Sequence, residues 1–462
     1  MTAVKTEFQP HPASYRDPSG FVFRYDGQWY RQVNASYEPH YRQLMHSGLY
    51  AELTRQELLL PYREIEENIT GHPYWFKTLL PEQLSLIAYP EEWSPAQLKK
   101  AALCTLAISR MAITHGMILK DATPRNIQFV RGKAMLIDSL SFETYDPSLP
   151  WVAYRQFCEC FLYPLYLQHY QGEGTHRTII AWPDGIEAAA VAKALPFRSR
   201  RNLGVWLHVL LPARVKKSGR SSSAAASGFD KNKMIHLLAN LESIIRDLPT
   251  DASGAAGWSQ YYEKTILSQA YLQEKEKLFR QYLEKIAFSS ALDLGANDGY
   301  FSWILAEKQA SVVAVDSAWQ CIDNLVNQLA ARKGKNILPL CVDLANPTPA
   351  TGFMNAERLP FTSRFRSSLV TALALVHHLS LGRNIPLSLV ADFFSRLTAD
   401  NLIIEFVPQS DPKARELLAG RTITGYDKES FESCFGRHYI IETQSSIPGT
   451  DRILYLMKKR SA

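Results

Sequence analysis

At 462 residues the chain has room for two or three domains, each with its own buried core. Its 46% hydrophobic and 21% charged residues are those of a soluble globular protein. No apolar run nears the ~20 residues of a membrane span and no apolar signal core opens the chain, so a cytoplasmic protein without a membrane partner is expected. The net charge of +6 is the difference between 51 basic and 45 acidic residues.

Residues up to about Gly20 carry Pro10, Pro12 and Pro18 with little periodicity, which predicts a disordered N-terminus over 1–20. Phe21–Tyr25 and Trp29–Val33 alternate around Asp26-Gly27, a hairpin signal. Helical pattern follows from about Pro39 to Leu59. Ser94-Pro95 then supplies an N-cap and a first-turn proline for a helix ending at His115-Gly116.

The next stretch, Met117 to Asp138, places a polar Asp121-x-x-Pro124-x-Asn126 loop before a hairpin whose second strand ends at Asp138. This order resembles the catalytic half of the protein-kinase-like fold, including small-molecule phosphotransferases. The resemblance implies an α+β kinase-like domain over 21–211. In it Asp121 is the hydroxyl-orienting base, and Asn126 and Asp138 are the metal ligands of an ATP/Mg site if that site is active. Four features depart from the pattern. No Gly-x-Gly-x-x-Gly covers the first hairpin turn. The strand lysine is replaced by Arg31, Lys77 being the nearby alternative. Ser139-Leu140 follows Asp138, and Thr123 stands where kinases carry a loop lysine. These point to a degenerate domain that binds substrate, with a live phosphotransferase or a partner-recruiting module as alternatives; Asp121 and Asn126 tying down a turn is the plainer one.

Trp151–Leu165 reads as a buried aromatic helix, with Cys158-x-Cys160 inside it. The six cysteines include no paired Cys-x-x-Cys sets, which predicts reduced thiols rather than a metal site. Arg198 to Arg220 holds seven basic residues and no acid, and leads into a Ser/Ala-rich stretch, a flexible basic loop over 212–231. Such a run suits nucleic acid or an acidic partner, but aromatic interleaving is sparse, and a solvated self-repelling loop is expected instead. Met234 to Leu248 is amphipathic, and with the helix through Leu272 and Leu283 it forms a helical connector over 232–288.

The remaining segment, 289–460, opens on Ala291-Leu292-Asp293-Leu294-Gly295-Ala296-Asn297-Asp298-Gly299-Tyr300, an apolar strand, a glycine turn and a helix start. Gly295 and Gly299 suit backbone angles closed to other residues, and the flanking acids suit a cationic, hydroxyl-rich ligand better than a phosphate. Ser311–Asp316 and Ile337–Leu344 are further strands closing on Asp316 and Asp343. Leu369–Val376 and Leu402–Val407 follow. The pattern resembles class I S-adenosylmethionine-dependent methyltransferases, an α/β Rossmann-like domain with a mostly parallel sheet. The resemblance implies S-adenosyl-L-methionine as cofactor, held by Asp293, Gly295, Ala296, Asn297, Asp298, Gly299, Asp316 (ribose hydroxyls), Asp343 and Leu344 (adenine).

His377 and His378, after the fourth strand, sit where that family faces the methyl group, and either imidazole is a candidate general base for a small-molecule acceptor. Glu405 is a second candidate. A structural histidine pair at a strand-to-helix turn is the alternative. Asn346-Pro347, Asn355, Glu357 and Arg358 are candidates for the substrate side, or for plain loop residues. The two-part layout, with LALVHHLSLGRNIP and EFVPQSDP, also looks similar to bacterial methyltransferases associated with the nodulation protein NoeA, which implies host-specific or specialised-metabolite modification as a context.

Overall fold

The computed structural model describes residues 7–172, 174–217, 230–249, 268–332, 336–421 and 423–460. The chain divides into two compact units, Met1–Ala252 with Ala350–Arg358, and Ser253–Pro349 with Leu359–Ala462.

The first unit begins with a five-stranded antiparallel sheet of β1 (Gln9–Pro10), β2 (Gly20–Tyr25), β3 (Gln28–Asn34), β4 (Tyr62–Ile65) and β5 (Trp75–Pro81), in the order β1-β2-β3-β5-β4. The N-terminal segment expected to be disordered is therefore structured from residue 7 onward. Pro10 lacks an amide hydrogen, which an edge strand tolerates. Tyr15 and Arg16 hold Glu357, a partner 342 and 341 residues away that local periodicity cannot reveal. Helix α1 (Pro95–Thr114) starts where the sequence places it. The Ser94 hydroxyl accepts from the Gln97 amide while the Gln97 side chain accepts from the Ser94 amide.

After α1 come β6 (Met117–Leu119), the hairpin β7 (Ile127–Val130) and β8 (Lys133–Leu136), and β9 (Phe142–Thr144), which pairs with β6. The aromatic helix exists as a run from Tyr154 to Gln171 broken by a π turn at Cys158–Leu162. Phe157, Phe161 and Tyr166 are fully buried, a core role. Helix α2 (Lys231–Asp247) packs on α1 and belongs to the first unit, whereas α3 (Gln269–Leu283) belongs to the second. The two helices expected to share a connector are thus divided between the units. The loop expected over 212–231 is helical through Lys217; the rest of it, to residue 229, lies outside the described residues.

The second unit carries a seven-stranded sheet. Its strands are β10 (Ser290–Leu294), β11 (Ser311–Asp316), β12 (Ile337–Cys341), β13 (Ser367–Ala372), β14 (Thr398–Phe406), β15 (Tyr439–Ser446) and β16 (Ile453–Lys459). They lie in the order β12-β11-β10-β13-β14-β16-β15, parallel through β14 and antiparallel at β16 and β15. Strand order reverses between β10 and β13, the switch point at which open α/β sheets leave a crevice beyond their carboxyl ends. Helices α4 (Tyr300–Glu307), α5 (Trp319–Ala331) and α6 (Leu387–Leu397) fill the crossovers. Leu292, Leu294, Val312 to Val315, Leu369, Val370 and Leu402 to Ile404 are buried, the near-continuous apolar strands of a sheet covered on both faces. Two predicted strands are too long at their ends. β12 stops at Cys341, two residues before Asp343, and β13 stops at Ala372, because Ala374 takes a left-handed φ of 51° and turns the chain.

Candidate active site

At the switch point the second unit holds a cavity of about 570 Å³, within the range of small-molecule sites. Its floor is the glycine turn. The amides of Gly295 and Ala296 both donate to the Val315 carbonyl at 2.9 Å, which bends the chain off β10 over the end of β11. Gly299 has φ 87°, and a Cβ there would lie 2.6 Å from Leu325 Cδ1, so only glycine closes the turn onto α5. Asn297 adopts the left-handed φ of 53° and leaves its side-chain oxygen buried without a hydrogen-bond partner in the cavity wall.

Three carboxylates reach this cavity, Asp293 and Asp316 at the ends of β10 and β11 and Asp343 two residues past the end of β12. Asp293, 2% exposed, accepts from Ser302 Oγ at 2.6 Å and Thr371 Oγ1 at 2.8 Å, tying β10 to α4 and β13. Burial raises its pKa, with the two hydroxyls opposing. Asp316 accepts the amides of Asn297 and Ala318, each at 2.8 Å, and burial likewise raises its pKa against those amides. Asp343 accepts the Ala345 amide at 3.0 Å and pairs with Arg383 at 3.2 Å. Ala296, Asn297, Asp298 and Leu344 also line the cavity, so the sequence-predicted cofactor residues other than Gly299 share one wall system. Gly299 is not part of the lining.

The catalytic candidates separate. His378 lines the cavity at the start of a π turn (His378–Gly382) that also brings Arg383 there. His377 points into the protein: it is 1% exposed, is not on the cavity wall, and its Nδ1 is buried without a partner. Burial, then the neighbouring His378, lowers its pKa to about 3, which makes it a poor base. The expectation for His377 is therefore corrected. Glu405 is corrected too. It is 0% exposed and off the wall, and its oxygens are taken by Tyr271 at 2.5 Å, Lys275 at 3.0 Å and Arg452 at 3.2 Å. Burial pushes its pKa up, but the charges of Lys275 and Arg452 outweigh this and hold it ionised.

Tyr271, Lys275 and Arg452 do line the cavity, and sequence reasoning missed all three. Arg452 also forks onto Asp411, at 2.8 and 3.0 Å. No local signal marks these residues; positions 271, 405, 411 and 452 meet only once the sheet is assembled. Glu357 and Arg358, proposed for the substrate side, belong to the first unit, and with Asn346, Pro347 and Asn355 they are absent from the cavity lining.

No family model matches the chain. The nodulation protein NoeA of Rhizobium meliloti (strain 1021) is 31% identical over 464 residues, covering 96% of this chain and 95% of that protein. The chain belongs to the NoeA family. Among solved structures it is similar to the N-methyltransferase NodS of Bradyrhizobium japonicum WM9, at 12% identity over 42% of this chain and 100% of that one, TM-score 0.33. A second is the magnesium protoporphyrin IX methyltransferase ChlM of Synechocystis PCC 6803, at 14% identity over 45% and 90%, TM-score 0.31.

In this NoeA-family chain the first unit assembles a polar cluster of its own. Asn126 Nδ2 donates to Asp121 Oδ2 at 2.9 Å and to Ser141 Oγ at 3.3 Å, and Ser141 donates to Asp138 Oδ2 at 2.8 Å. Asp121, Asn126 and Asp138 are thus gathered in one place. Arg31, reaching from β3, forms an ion pair with Asp138. Burial raises the pKa of Asp138, but the Arg31 charge and the Ser141 hydroxyl bring it below the ordinary carboxylate value. Burial and the charge of Asp138 raise that of Asp121, whose Oδ1 is buried without a partner. Lys77 does not join them; it pairs with Glu64 and Glu66. Among the described residues no group of three His, Cys, Asp or Glu side chains is placed to hold a metal.

Proposed function

We propose that the second unit transfers a methyl group from S-adenosylmethionine to a small-molecule acceptor. The observation that carries this reading is the convergence of Asp293, Asp316 and Asp343, at or just past the ends of three adjacent strands, on one cavity floored by a glycine turn. Its donor set fits the cofactor. Acids suit a cation and its ribose hydroxyls, Val342, Leu344, Ala318 and Cys321 suit a flat apolar ring, and the orphaned Asn297 oxygen awaits a donor. When bound, the cofactor supplies an electrophilic methyl group and its own leaving group. The protein's share is alignment and proton removal. Burial, then the charge of Arg452, lowers the His378 pKa, so its imidazole is neutral at pH 7 and has a lone pair for the acceptor's proton. Leu373, Leu375 and Leu379 on the same wall exclude water.

Calorimetric titration of the full chain tests the reading. Saturable binding of S-adenosylmethionine is expected, weakened roughly 10- to 100-fold in Asp316→Ala by loss of charged hydrogen bonds. Unchanged binding in the Asp293→Ala, Asp316→Ala double variant would remove the proposal.

A second reading concerns the first unit as a kinase-like but degenerate module that holds substrate. The Arg31–Asp138 ion pair favours it, because a guanidinium takes the carboxylate that the kinase likeness reserves for Mg²⁺. The same calorimeter cell, with ATP and Mg²⁺ added, is expected to show no metal-dependent binding. Mg²⁺-dependent ATP turnover that disappears in Asp138→Ala would instead establish a bifunctional phosphotransferase and methyltransferase.

A further inference from the structure

Neither site uses the basic segment that stands out in the sequence. Its described members Arg198, Arg200, Arg201 and Arg214 are all exposed, as is nearby Lys193, and none has a carboxylate ion-pair partner among the described residues. Arg198 donates to the Tyr170 carbonyl at 3.0 Å, and the Arg200 guanidinium sits 5.2 Å over the Phe197 ring. Lys193, Arg200 and Arg214 converge on an open groove of about 440 Å³, floored by three alanines and Leu210, with no carboxylate in its lining.

The same segment, residues 197–214, exposes large apolar side chains. Phe197 is 76% exposed, Leu203 69%, Trp206 41% and Leu211 41%. Leu203, Trp206, Leu211 and Arg214 recur at intervals of three to five residues along the helical run 203–217, and its π turn at Trp206–Leu210 accommodates the longest interval. Cations without carboxylate partners among the described residues, interleaved with exposed aliphatic and aromatic groups, form the amphipathic pattern of a helix lying in a membrane interface. A nucleic-acid strand would engage the arginines and stack on the two aromatic rings, but would leave Leu203 and Leu211 in water.

We propose that this face of the first unit docks on an anionic lipid bilayer, with Lys193, Arg200, Arg201 and Arg214 on the headgroups and Leu203, Trp206 and Leu211 in the acyl boundary. This is peripheral contact: no helix of the described residues is long and apolar enough to cross a membrane.

Co-sedimentation of the full chain with vesicles decides it. Binding is expected to vesicles with about one-third phosphatidylglycerol and not to phosphatidylcholine alone, weakening as salt rises. Each cation removed should lower partitioning roughly five-fold, so Arg200→Ala, Arg201→Ala and Arg214→Ala together should reduce it more than about 50-fold. Trp206→Ser with Leu211→Ser should weaken binding to the anionic vesicles even at high salt, which a purely electrostatic contact would not show. All substitutions are at exposed positions, and an unchanged circular-dichroism spectrum checks the fold. No vesicle binding, equal binding to both lipids, full binding by the triple arginine variant, or binding of RNA or DNA in place of vesicles would each overturn the proposal.

Discussion

His377 and His378 are adjacent, chemically identical and 4.3 Å apart between ring centroids, yet only one faces the cavity. Burial gives the pair opposite experimental signatures. His378→Gln is expected to reduce methyl transfer roughly 100-fold, the loss typical of a general base, while leaving cofactor affinity unchanged. His377→Gln should leave turnover nearly intact and alter stability against pH. The folded state refuses a proton on His377 down to about pH 3, whereas the unfolded chain accepts one below its ordinary value of 6.5. The contribution of His377 to stability is therefore complete above 6.5 and is lost as pH drops toward 3. His377→Gln should flatten that fall in thermal melts. The sequence makes both histidines legible as candidates from their place after a strand. It cannot separate them, because the choice depends on a π turn and on Ala374 turning the chain.

At the scale of elements, the acids at strand ends are readable because their spacing repeats with the crossovers that create it. The cations opposite them are not. Lys275 on α3, Glu405 on β14 and Arg452 just before β16 are nine-tenths buried or more, and Tyr271 and Asp411 complete their hydrogen bonds. This network fastens the helix preceding β10 to the far side of the sheet. Lys275→Met leaves Glu405 short of a positive partner in a dry environment and should cost about 3–5 kcal/mol in urea unfolding. Lys275→Met with Glu405→Gln removes both charges and should cost clearly less. Equal losses from the single and double variants would show that the ion pair contributes nothing specific. Periodicity gives each of these residues an element, but only the three-dimensional order of strands gives it a neighbour.

For the molecule as a whole, the chain's two-part nature is visible in the sequence, since two unrelated motif sets occupy its two halves. The position of Ala350–Arg358 is not, because those nine residues lie in the sequence between β12 and β13 and yet belong to the first unit. Glu357 anchors them there. Its side chain is 2% exposed, accepts from Tyr15 at 2.7 Å and from Arg16 at 2.5 and 3.0 Å, and the Arg16 hydrogen bonds lower its pKa to about 2 against burial. The stability it adds is complete above its unfolded value near 4.5 and is lost as pH falls from there toward 2. Arg16 is largely exposed, so screening limits the effect to about 1 kcal/mol. Scanning calorimetry of the intact chain should show Glu357→Gln lowering a transition that S-adenosylmethionine does not raise, while the cofactor raises the other. A cofactor-induced shift of both transitions together would mean that the units melt as one.

Neither unit is one continuous stretch of chain, since Ala350–Arg358 of the first interrupts the second. A gene rearrangement that copied either half alone would carry away a unit lacking nine residues or burdened with nine strangers. Such a layout resists the shuffling by which domains usually acquire new neighbours. The two units are expected to be inherited, lost and truncated together.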